Sequence, residues 1–263
     1  MIYANPIVGR TGLCNMLLPW ARAEVFARKC GARILAPQWT NYFRTANFLH
    51  GERSRYYQNE FTNEGYVKGV RRFCKICFGT HVPEKDFDSR MDDVIVDFRG
   101  MDGFMASFFM EHDFIKERLL AITNPYLLKR VDQLSRERFI GVHIRRGDFL
   151  RVGLDIEDEW YVTAIRKAQE MAGDMPIRVF SDASPAGLMN IVRSFGDRVT
   201  IMPPGAALQD LLTLAASTVM VGTSRSSFSY WAIYLGQMPS VLHPVYLQKP
   251  DRLYVNNEKP NIL

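Results

Sequence analysis

The sequence lacks a long hydrophobic run: no stretch approaches the roughly 18 uninterrupted apolar residues that a membrane-spanning helix needs. The first residues, MIYANPIVGRTG, also lack the charged segment followed by an apolar core that is typical of a secretory signal. These absences argue against a secreted or membrane-spanning chain. We expect a cytoplasmic protein, with a peripheral contact to the inner membrane left open.

Dense basic stripes with interleaved aromatic residues are also missing. The net charge is only +5 and the isoelectric point about 9.0, so we expect no nucleic-acid partner. This mildly basic balance instead favours an anionic small molecule or a loose contact with a membrane surface. No G-x-x-x-x-G-K-[ST] phosphate loop occurs, which argues against an ATPase or a kinase.

Cysteine is scarce and confined to the first third of the chain, at Cys14, Cys30, Cys74 and Cys77. The last two form a C-x-x-C with His81 four residues further on, which would supply three of the four ligands of a structural zinc. No second pair follows at the spacing of a zinc finger. We therefore expect free thiols and no metal site, and a zinc site remains the alternative.

Two parts of the sequence show the alternation of strands and helices that is typical of an α/β fold. Residues 7–37 predict a glycine-containing loop, a helix over 16–30 that Asn15 can cap and Gly31 ends, and a short strand that Pro37 ends. From Phe139 the alternation is strict, which implies a parallel sheet with right-handed crossovers. The predicted strands there are 139–145, 177–181, 198–202, 218–222 and 239–243, and the predicted helices are 158–172, 184–194, 207–216 and 226–236.

The middle of the chain is less regular. Residues 94–98 predict a buried strand, and 111–137 predict a helix interrupted near Asn124 and Pro125, whereas 38–92 show no sustained periodicity. We therefore expect two Rossmann-like domains, 1–137 and 138–263, with mainly parallel sheets.

The segment FIGVHIRRGDF, residues 139–149, places polar side chains directly after an apolar strand. Gly147 lets the chain turn, and His143, Arg145, Arg146 and Asp148 surround that turn. In open parallel sheets ligands bind outside the carboxyl ends of the strands, and a guanidinium pair suits phosphate. An arginine pair on a solvated surface and an adhesion-type Arg-Gly-Asp are the alternatives; the buried strand before the motif favours a phosphate site.

Further polar residues follow other predicted strands or begin helices. Asp182 could bind a sugar hydroxyl or only cap the next helix, and Asp210 could bind a ligand or only complement a helix dipole. Hydroxyl groups also cluster where a strand runs into an apolar helix, at Thr223, Ser224, Ser226 and Ser227. Hydroxyls and free N–H groups at a helix start form an anion site. Together the clusters favour a diphosphate ligand, neutralised by arginine and helix N–H groups in place of a metal.

Three segments follow one another along the chain: GVHIRRGDF, VFSDA and LQDLLTLAASTVMVGTSRSSFSYWAIYLG. In this order they resemble the motifs of the fucosyltransferase superfamily. That superfamily includes the α-1,2-fucosyltransferases of glycosyltransferase family 11, the α-1,6-fucosyltransferases and the protein O-fucosyltransferases. GLCNMLL at 12–18 is similar to their glycine-rich first loop. The resemblance implies a GT-B-like fold with a cleft between two Rossmann-like domains. It also implies an inverting, metal-independent enzyme that transfers fucose from GDP-fucose to a glycan hydroxyl, as in polysaccharide or oligosaccharide synthesis, without a further cofactor.

The resemblance also implies roles for individual residues. Arg145 would contact the β-phosphate of the departing GDP, Asp148 would orient the arginines, and His143 and Asp210 would lie at the guanine. Residues 138–263 would bind the GDP-sugar, and 1–137 would face the acceptor and contribute Asn15. The remaining positions of the donor site would be Arg146, Asp182, Thr223, Ser224, Ser226 and Ser227.

Several points stay open at this level. Ala183 follows the serine-aspartate pair where the family has a second aspartate, so another nucleotide-sugar, or a non-catalytic GDP-binding relative, remains an alternative. Asp155 and Glu157 are candidates for the general base by position. The side chains that could line an acceptor groove or simply pack are Tyr56, Tyr57, Arg71, Arg72 and the aromatic residues around Phe104 to Phe109.

Overall fold

The computed structural model describes residues 1–9, 11–40, 56–151, 153, 155–223, 225–244 and 261–262, with the backbone alone for Asp148, Arg151 and 261–262. The chain divides into two compact units, Met1–Pro125 and Tyr126–Leu263. The expected boundary between 137 and 138 falls inside the second unit, after a helix that begins at Pro125. The acceptor-side and donor-side roles of the two domains stay predictions.

The first unit contains a parallel sheet with the strand order β2-β1-β4-β3. Its strands are β1 (Tyr3–Ile7), β2 (Arg33–Ile34), β3 (Thr80–Pro83) and β4 (Val94–Arg99), and its helices are α1 (Leu13–Cys30), α2 (Gly69–Phe78) and α3 (His112–Ile122). The predicted strand over 94–98 and the predicted helical break at Asn124 and Pro125 are confirmed. Both α2 and β3 lie within 38–92, where no helix or strand was predicted from the sequence.

Helix α1 is buried along most of its length, from Leu13 to Ala27, and Gly31 ends it in the left-handed conformation with φ of 62°. The prediction that Asn15 caps this helix is wrong. Gly12 is the N-cap, and its carbonyl oxygen accepts the N–H of Asn15 at 3.0 Å. Asn15 therefore lies inside the first turn, where its side chain is half-buried.

The second unit contains a parallel sheet with the order β10-β9-β8-β5-β6-β7. Its strands are β5 (Ile140–Ile144), β6 (Ile177–Ser181), β7 (Val199–Ile201), β8 (Val219–Thr223), β9 (Ser240–His243) and β10 (Asn261–Ile262). Its helices are α4 (Pro125–Leu134), α5 (Gly147–Arg151), α6 (Asp158–Ala172), α7 (Met189–Phe195), α8 (Ala207–Ala215) and α9 (Ser227–Gly236). The predicted strands and the long helices are confirmed, as is the parallel α/β class. Helix α5 lies in a segment that the sequence predicts as a loop.

The order of the strands decides where a ligand can bind in the second unit. From β5 the chain proceeds outward to β6 and β7, then returns to the other side of β5 and proceeds outward to β8, β9 and β10. The direction therefore reverses between β5 and β8. In open α/β sheets this reversal opens a crevice outside the carboxyl ends of the two strands.

The core of this unit explains why β5 lies at its centre. All five residues of β5 and all five of β8 are buried, which matches apolar strands covered on both faces. Gly141 allows α8 to approach the sheet, since a Cβ there would lie 2.7 Å from Leu214 Cδ1 and 2.8 Å from Ser217 Cβ. Among the described residues, no helix is both long enough and apolar enough to cross a membrane.

Candidate functional site

The carboxyl ends of three neighbouring strands bring the candidate residues of the second unit together. Strand β5 pairs with β6 on one side and β8 on the other, with Val142 opposite both Val179 and Val221. The segments that follow these strands are therefore adjacent, as parallel pairing requires. They begin at Arg145, Asp182 and Ser224; Ser224 lies outside the described residues.

Asp182 organises the turn that carries the two arginines. Its Oδ1 accepts the backbone N–H of Arg146 at 2.7 Å and that of Gly147 at 3.0 Å, and its Oδ2 lies 2.9 Å from Nη1 of Arg145. A Cβ on Gly147 would lie 2.7 Å from Asp182 Oδ2, so the glycine leaves room for the carboxylate. The alternative that Asp182 caps the next helix is wrong, because the cap is Ser184, whose side chain accepts from Gly187.

The two arginines of the motif have different surroundings. The side chain of Arg145 is 29% exposed and its guanidinium lies 5.8 Å from the centre of the Phe149 ring. Arg146 is 13% exposed and binds the carboxylate of Asp158, and its Nε is buried without a hydrogen-bond partner in the described part of the chain. Arg146 is therefore held by the protein, whereas the side chain of Arg145 is more exposed and its expected contact with a diphosphate stays a prediction.

His143 connects β5 to the start of α9. Its Nδ1 lies 2.8 Å from the hydroxyl oxygen of Ser229, and its ring stacks on Phe228 with 4.9 Å between ring centres. Burial, and next the charge of Arg145, lower the pKa of His143 to about 4, with Asp182 acting in the opposite direction. The imidazole is therefore neutral at neutral pH. It is 6% exposed, and its expected contact with guanine stays a prediction.

The turn between β8 and α9 is built from the hydroxyl groups in its own segment. Thr223 Oγ1 accepts the N–H of Arg225 at 3.2 Å, and Ser226, the N-cap of α9, accepts the N–H of Phe228 at 3.3 Å. Ser227 is the half-buried first residue of the helix. The amino end of α9 thus lies beside the carboxyl end of β5, where the helix dipole favours an anion.

Asp210 lies in the first turn of α8, and its carboxyl group is half-buried. Burial raises its pKa to about 6, against the opposing effect of a hydrogen bond with the backbone of Gly205. Below that pH the group is mostly protonated, and above it the carboxylate can accept two N–H donors. The expected contact of Asp210 with guanine stays a prediction.

For the other expected site residues, the described contacts give no evidence of a role in the site. Asp155 and Glu157 are exposed in the segment before α6, where Glu157 is the N-cap, and neither is tied to the arginines by a hydrogen bond among those described. The backbone of Asp148 lies in α5, and its side chain is outside the described residues. Asn15 belongs to the first unit. The roles of these residues stay predictions.

Two contacts of the site were not predicted from the sequence. Asp158 is in the first turn of α6, so its sequence position suggests only a helix-dipole role, yet it holds Arg146. Ser229 looks like a chance polar residue in an apolar helix, yet its hydroxyl oxygen binds His143 and accepts the N–H of Thr223 at 3.4 Å. The sequence signal that could have indicated this contact is the polar Ser229 on an otherwise apolar, buried face of α9.

The zinc alternative is weakened by the surroundings of His81. One ring nitrogen lies 2.9 Å from Asp97 Oδ1 and the other lies 3.0 Å from the carbonyl oxygen of Ile76. Cys74 and Cys77 are exposed thiols. Within the part of the chain that the structure describes, no group of three or more His, Cys, Asp or Glu side chains could hold a metal ion.

Comparison with known proteins gives a family and a fold. The model of glycosyl transferase family 11 matches residues 98–253, which is more than half of the chain. No curated protein sequence matches. The match includes the strand, the arginine motif and the serine-rich helix start described above.

Several solved structures share the fold. The NodZ α-1,6-fucosyltransferase soaked with GDP-fucose is 17% identical, with a TM-score of 0.60 over 92% of this chain and 95% of that one. POFUT1 in complex with GDP is 12% identical, with a TM-score of 0.58 over 92% and 97% of the two chains. The fucosyltransferase NodZ from Bradyrhizobium is 16% identical, with a TM-score of 0.53 over 90% and 93%. At these identities the likeness shows the GT-B-like α/β fold.

Proposed function

The chain belongs to glycosyl transferase family 11 and is therefore a glycosyltransferase, and we propose that it transfers fucose from GDP-fucose to a hydroxyl group of a glycan. The observation that carries the donor part of this proposal is the arrangement of Arg145. Its guanidinium is oriented by Asp182 at the point where the strand order reverses, and it keeps 29% of its side-chain surface exposed. Structures of similar fold contain GDP-fucose or GDP, which supports a guanosine diphosphate donor.

The proposed reaction is an in-line, inverting displacement at the anomeric carbon of fucose. The acceptor oxygen forms a bond to that carbon while the bond to the β-phosphate oxygen breaks, and the electron pair leaves with GDP. Arg145 stabilises the charge that develops on the leaving diphosphate, together with the amino end of α9. Asp155 or Glu157 would take the acceptor proton as general base.

The other residues would bind and orient the donor. The Asp210 carboxylate would accept from the N1–H and N2–H groups of guanine, with His143 near the base. Thr223, Ser226 and Ser227 would position the helix start at the diphosphate, and Ser224, Asp148 and Asn15 would complete the site. Because cationic and N–H groups would neutralise the diphosphate, the proposed reaction needs no metal and no further cofactor.

A donor screen tests the proposal directly. The protein is incubated with GDP-fucose, other GDP-sugars and UDP-sugars over a panel of acceptor sugars, with and without EDTA, and products are detected by mass spectrometry. We expect turnover of GDP-fucose that EDTA leaves unchanged. Turnover with a different donor alone would overturn the assignment of fucose, and loss of turnover in EDTA would overturn metal independence.

Calorimetric titration with GDP tests the site. Arg145→Ala should raise the Kd by at least about 30-fold, which corresponds to about 2 kcal/mol for a lost charged hydrogen bond. Arg136→Ala is the matched control, since Arg136 is an exposed arginine of the same unit paired with Asp132 at the surface. An unchanged Kd in Arg145→Ala would reject the site, and tight GDP binding without any turnover would indicate a non-catalytic relative.

We extend the proposal to a cytoplasmic enzyme of surface polysaccharide or oligosaccharide synthesis. Fractionation of cells that express the tagged full chain tests the location. Recovery of the protein outside the cytoplasm and away from the inner membrane would contradict this part alone.

A further inference from the structure

Helix α2 of the first unit exposes its apolar side. None of its ten residues is buried, and the side chains of Val70, Phe73 and Phe78 are 78%, 62% and 82% exposed. Exposed apolar residues are common singly, but a contiguous group on one helix marks an interaction surface. We call this helix face the α2 face.

The spacing of the residues places the apolar side chains on one arc. Val70 is followed by Phe73 and Cys74, and then by Cys77 and Phe78, which is the i, i+3, i+4, i+7, i+8 spacing of a single helix face. Both cysteines are also exposed. In a globular protein such a face normally covers the core, so the orientation of α2 is reversed.

Contacts on the opposite side of α2 hold it in this orientation. Ile76 packs against the small core around Leu35 and Ile95. Arg72 Nε donates to the carbonyl oxygen of Ala36 at 2.6 Å, and Lys75 lies 4.5 Å from the centre of the Tyr3 ring. The polar and the packed residues therefore share one side, and the α2 face is left for a partner.

Positive charge lies along one edge of the α2 face. Lys68, Arg71, Arg72 and Lys75 lie in or directly before the helix, and no Asp or Glu occurs between Glu64 and Glu84. Arg71 and Lys75 also line a cavity of about 470 Å³ together with Cys74 and Phe78 of the face. One carboxylate, Asp93, lies 3.7 Å from Lys75 at the rim of this cavity. The surface therefore combines exposed phenylalanine with an excess of cations.

This combination selects one kind of partner. Two copies of the α2 face would bring the Arg71 and Lys75 side chains of each copy together, which disfavours self-association. An anionic lipid surface complements both features, since acyl chains accept the phenylalanine side chains and headgroups attract lysine and arginine. We propose that α2 binds this protein peripherally to an anionic membrane surface. The inference does not depend on which sugar nucleotide is the donor.

Vesicle flotation tests the proposal with the full chain. Vesicles of equal parts phosphatidylglycerol and phosphatidylcholine should carry the protein, with less binding at high salt and little binding to phosphatidylcholine alone. The double variant Phe73→Ser/Phe78→Ser should lower the partition coefficient by at least about tenfold. Arg71→Glu should also lower the partition coefficient.

The control is Met110→Ser/Tyr126→Ser. It changes residues outside the α2 face that are 74% and 68% exposed, and it should leave binding unchanged.

Four results of the binding and assembly measurements would overturn the proposal. They are failure of the wild type to bind, equal binding by the Phe73→Ser/Phe78→Ser variant, equal loss of binding in the control, and a wild-type dimer that this variant converts to a monomer. Thermal unfolding of the variant should match the wild type, because a lower unfolding temperature would mean that the chain itself covers the face. Transfer to a soluble acceptor should be unchanged in the variant, which separates this test from that of the donor.

Discussion

Arg22 in the first unit and Arg145 in the second carry the same guanidinium group in opposite settings. The side chain of Arg22 is 3% exposed, and it binds Glu84 at 2.9 Å and the carbonyl oxygen of Arg99 at 2.6 Å. Arg145 binds the carboxylate of Asp182 and keeps 29% of its side chain exposed. The first arginine holds the loop after β4 in place, whereas the second stays partly exposed and is proposed to bind a ligand.

The carboxylates of the two units differ in the same way. Glu24 of α1 is 2% exposed, accepts from the Tyr66 hydroxyl, and binds Arg118 Nε at 3.2 Å. Burial raises the pKa of Glu24, with the Tyr66 hydrogen bond and Arg118 opposing that rise. Asp182 is instead exposed and Asp210 half-buried, both at the open end of the second sheet. Exposure, more than residue type, thus distinguishes stabilising polar networks from candidate binding groups.

The largest expected effect is on catalysis by Arg145→Ala. Removal of a group that stabilises the leaving diphosphate should lower kcat/KM for the donor by about 10³-fold. The free energy of unfolding should change by less than about 1 kcal/mol, because partly exposed ion pairs contribute little to stability. Steady-state kinetics and urea unfolding measure the two quantities. A large loss of stability with a modest loss of activity would make Arg145 a structural residue like Arg22.

The reverse result is expected for Arg22→Ala. The change leaves Glu84 and the loop carbonyls without their donor, which should cost about 3 kcal/mol of stability. Urea unfolding measures this cost. In the protein that remains folded, the Kd for GDP should stay within about threefold of the wild type, because the residues proposed to bind the diphosphate belong to the second unit. A Kd increase as large as that of Arg145→Ala would remove the contrast between the two arginines.

A smaller effect is expected for Gly147→Ala, which changes no polar group. The new Cβ would lie 2.7 Å from Asp182 Oδ2 and would displace the carboxylate from Arg145. We expect kcat/KM to fall about tenfold, in line with one weakened charged hydrogen bond. Gly187→Ala is the control, because its Cβ would meet its nearest neighbours at 3.7 Å. Equal activities of the two variants would show that Asp182 does not position Arg145.

An effect of similar size is expected in the pH dependence that comes from Asp210, whose pKa is raised to about 6. A carboxylate accepts N–H donors and a carboxyl group does so poorly, so GDP binding should strengthen about tenfold between about pH 5 and about pH 7. Asp210→Asn should lack that part of the change. Titration of GDP itself affects both proteins equally, so the difference between them isolates Asp210. Parallel pH profiles would exclude this carboxylate from the site.

The pH dependence that Asp210 gives to the free energy of unfolding has the opposite sign to the one it gives to GDP binding. The folded protein disfavours the ionised form of Asp210, so this group contributes less stability as the pH rises from the unfolded value of 3.8 through about 6. Urea unfolding of the wild type and Asp210→Asn over this range measures that contribution. Equal pH dependence of the two proteins would contradict the raised pKa.

The second unit could be predicted from the sequence in more detail than the first. Its strands are continuous apolar runs such as residues 139–144, because a parallel sheet buries both faces. Helix α2 escaped prediction because its helical spacing extends over only ten residues of an otherwise irregular segment, and the four-residue β3 has no buried residue. Helix α5 escaped because five residues are too few for a periodic pattern.

The contacts of the candidate site could also be predicted only in part. The meeting of Arg145 and Asp182 could be expected, because both follow strands of one parallel sheet. The partners of the neighbouring residues could not be expected, since Ser229 lies 86 positions from His143 and only the packing of α9 brings them together. The cap expected at Asn15 failed because Gly12 adopts the extended conformation that an N-cap requires.

Gly141 sets a distance inside the proposed donor site. Its missing side chain lets Leu214 of α8 approach within 2.7 Å of the position that a Cβ would occupy on β5. Helix α8 carries Asp210, and β5 leads into Arg145. Under the proposed function, this packing fixes the distance between the groups that bind the base and the groups that bind the phosphates. Gly141 therefore limits the length of nucleotide that fits the site, although Gly141 itself does not contact the nucleotide.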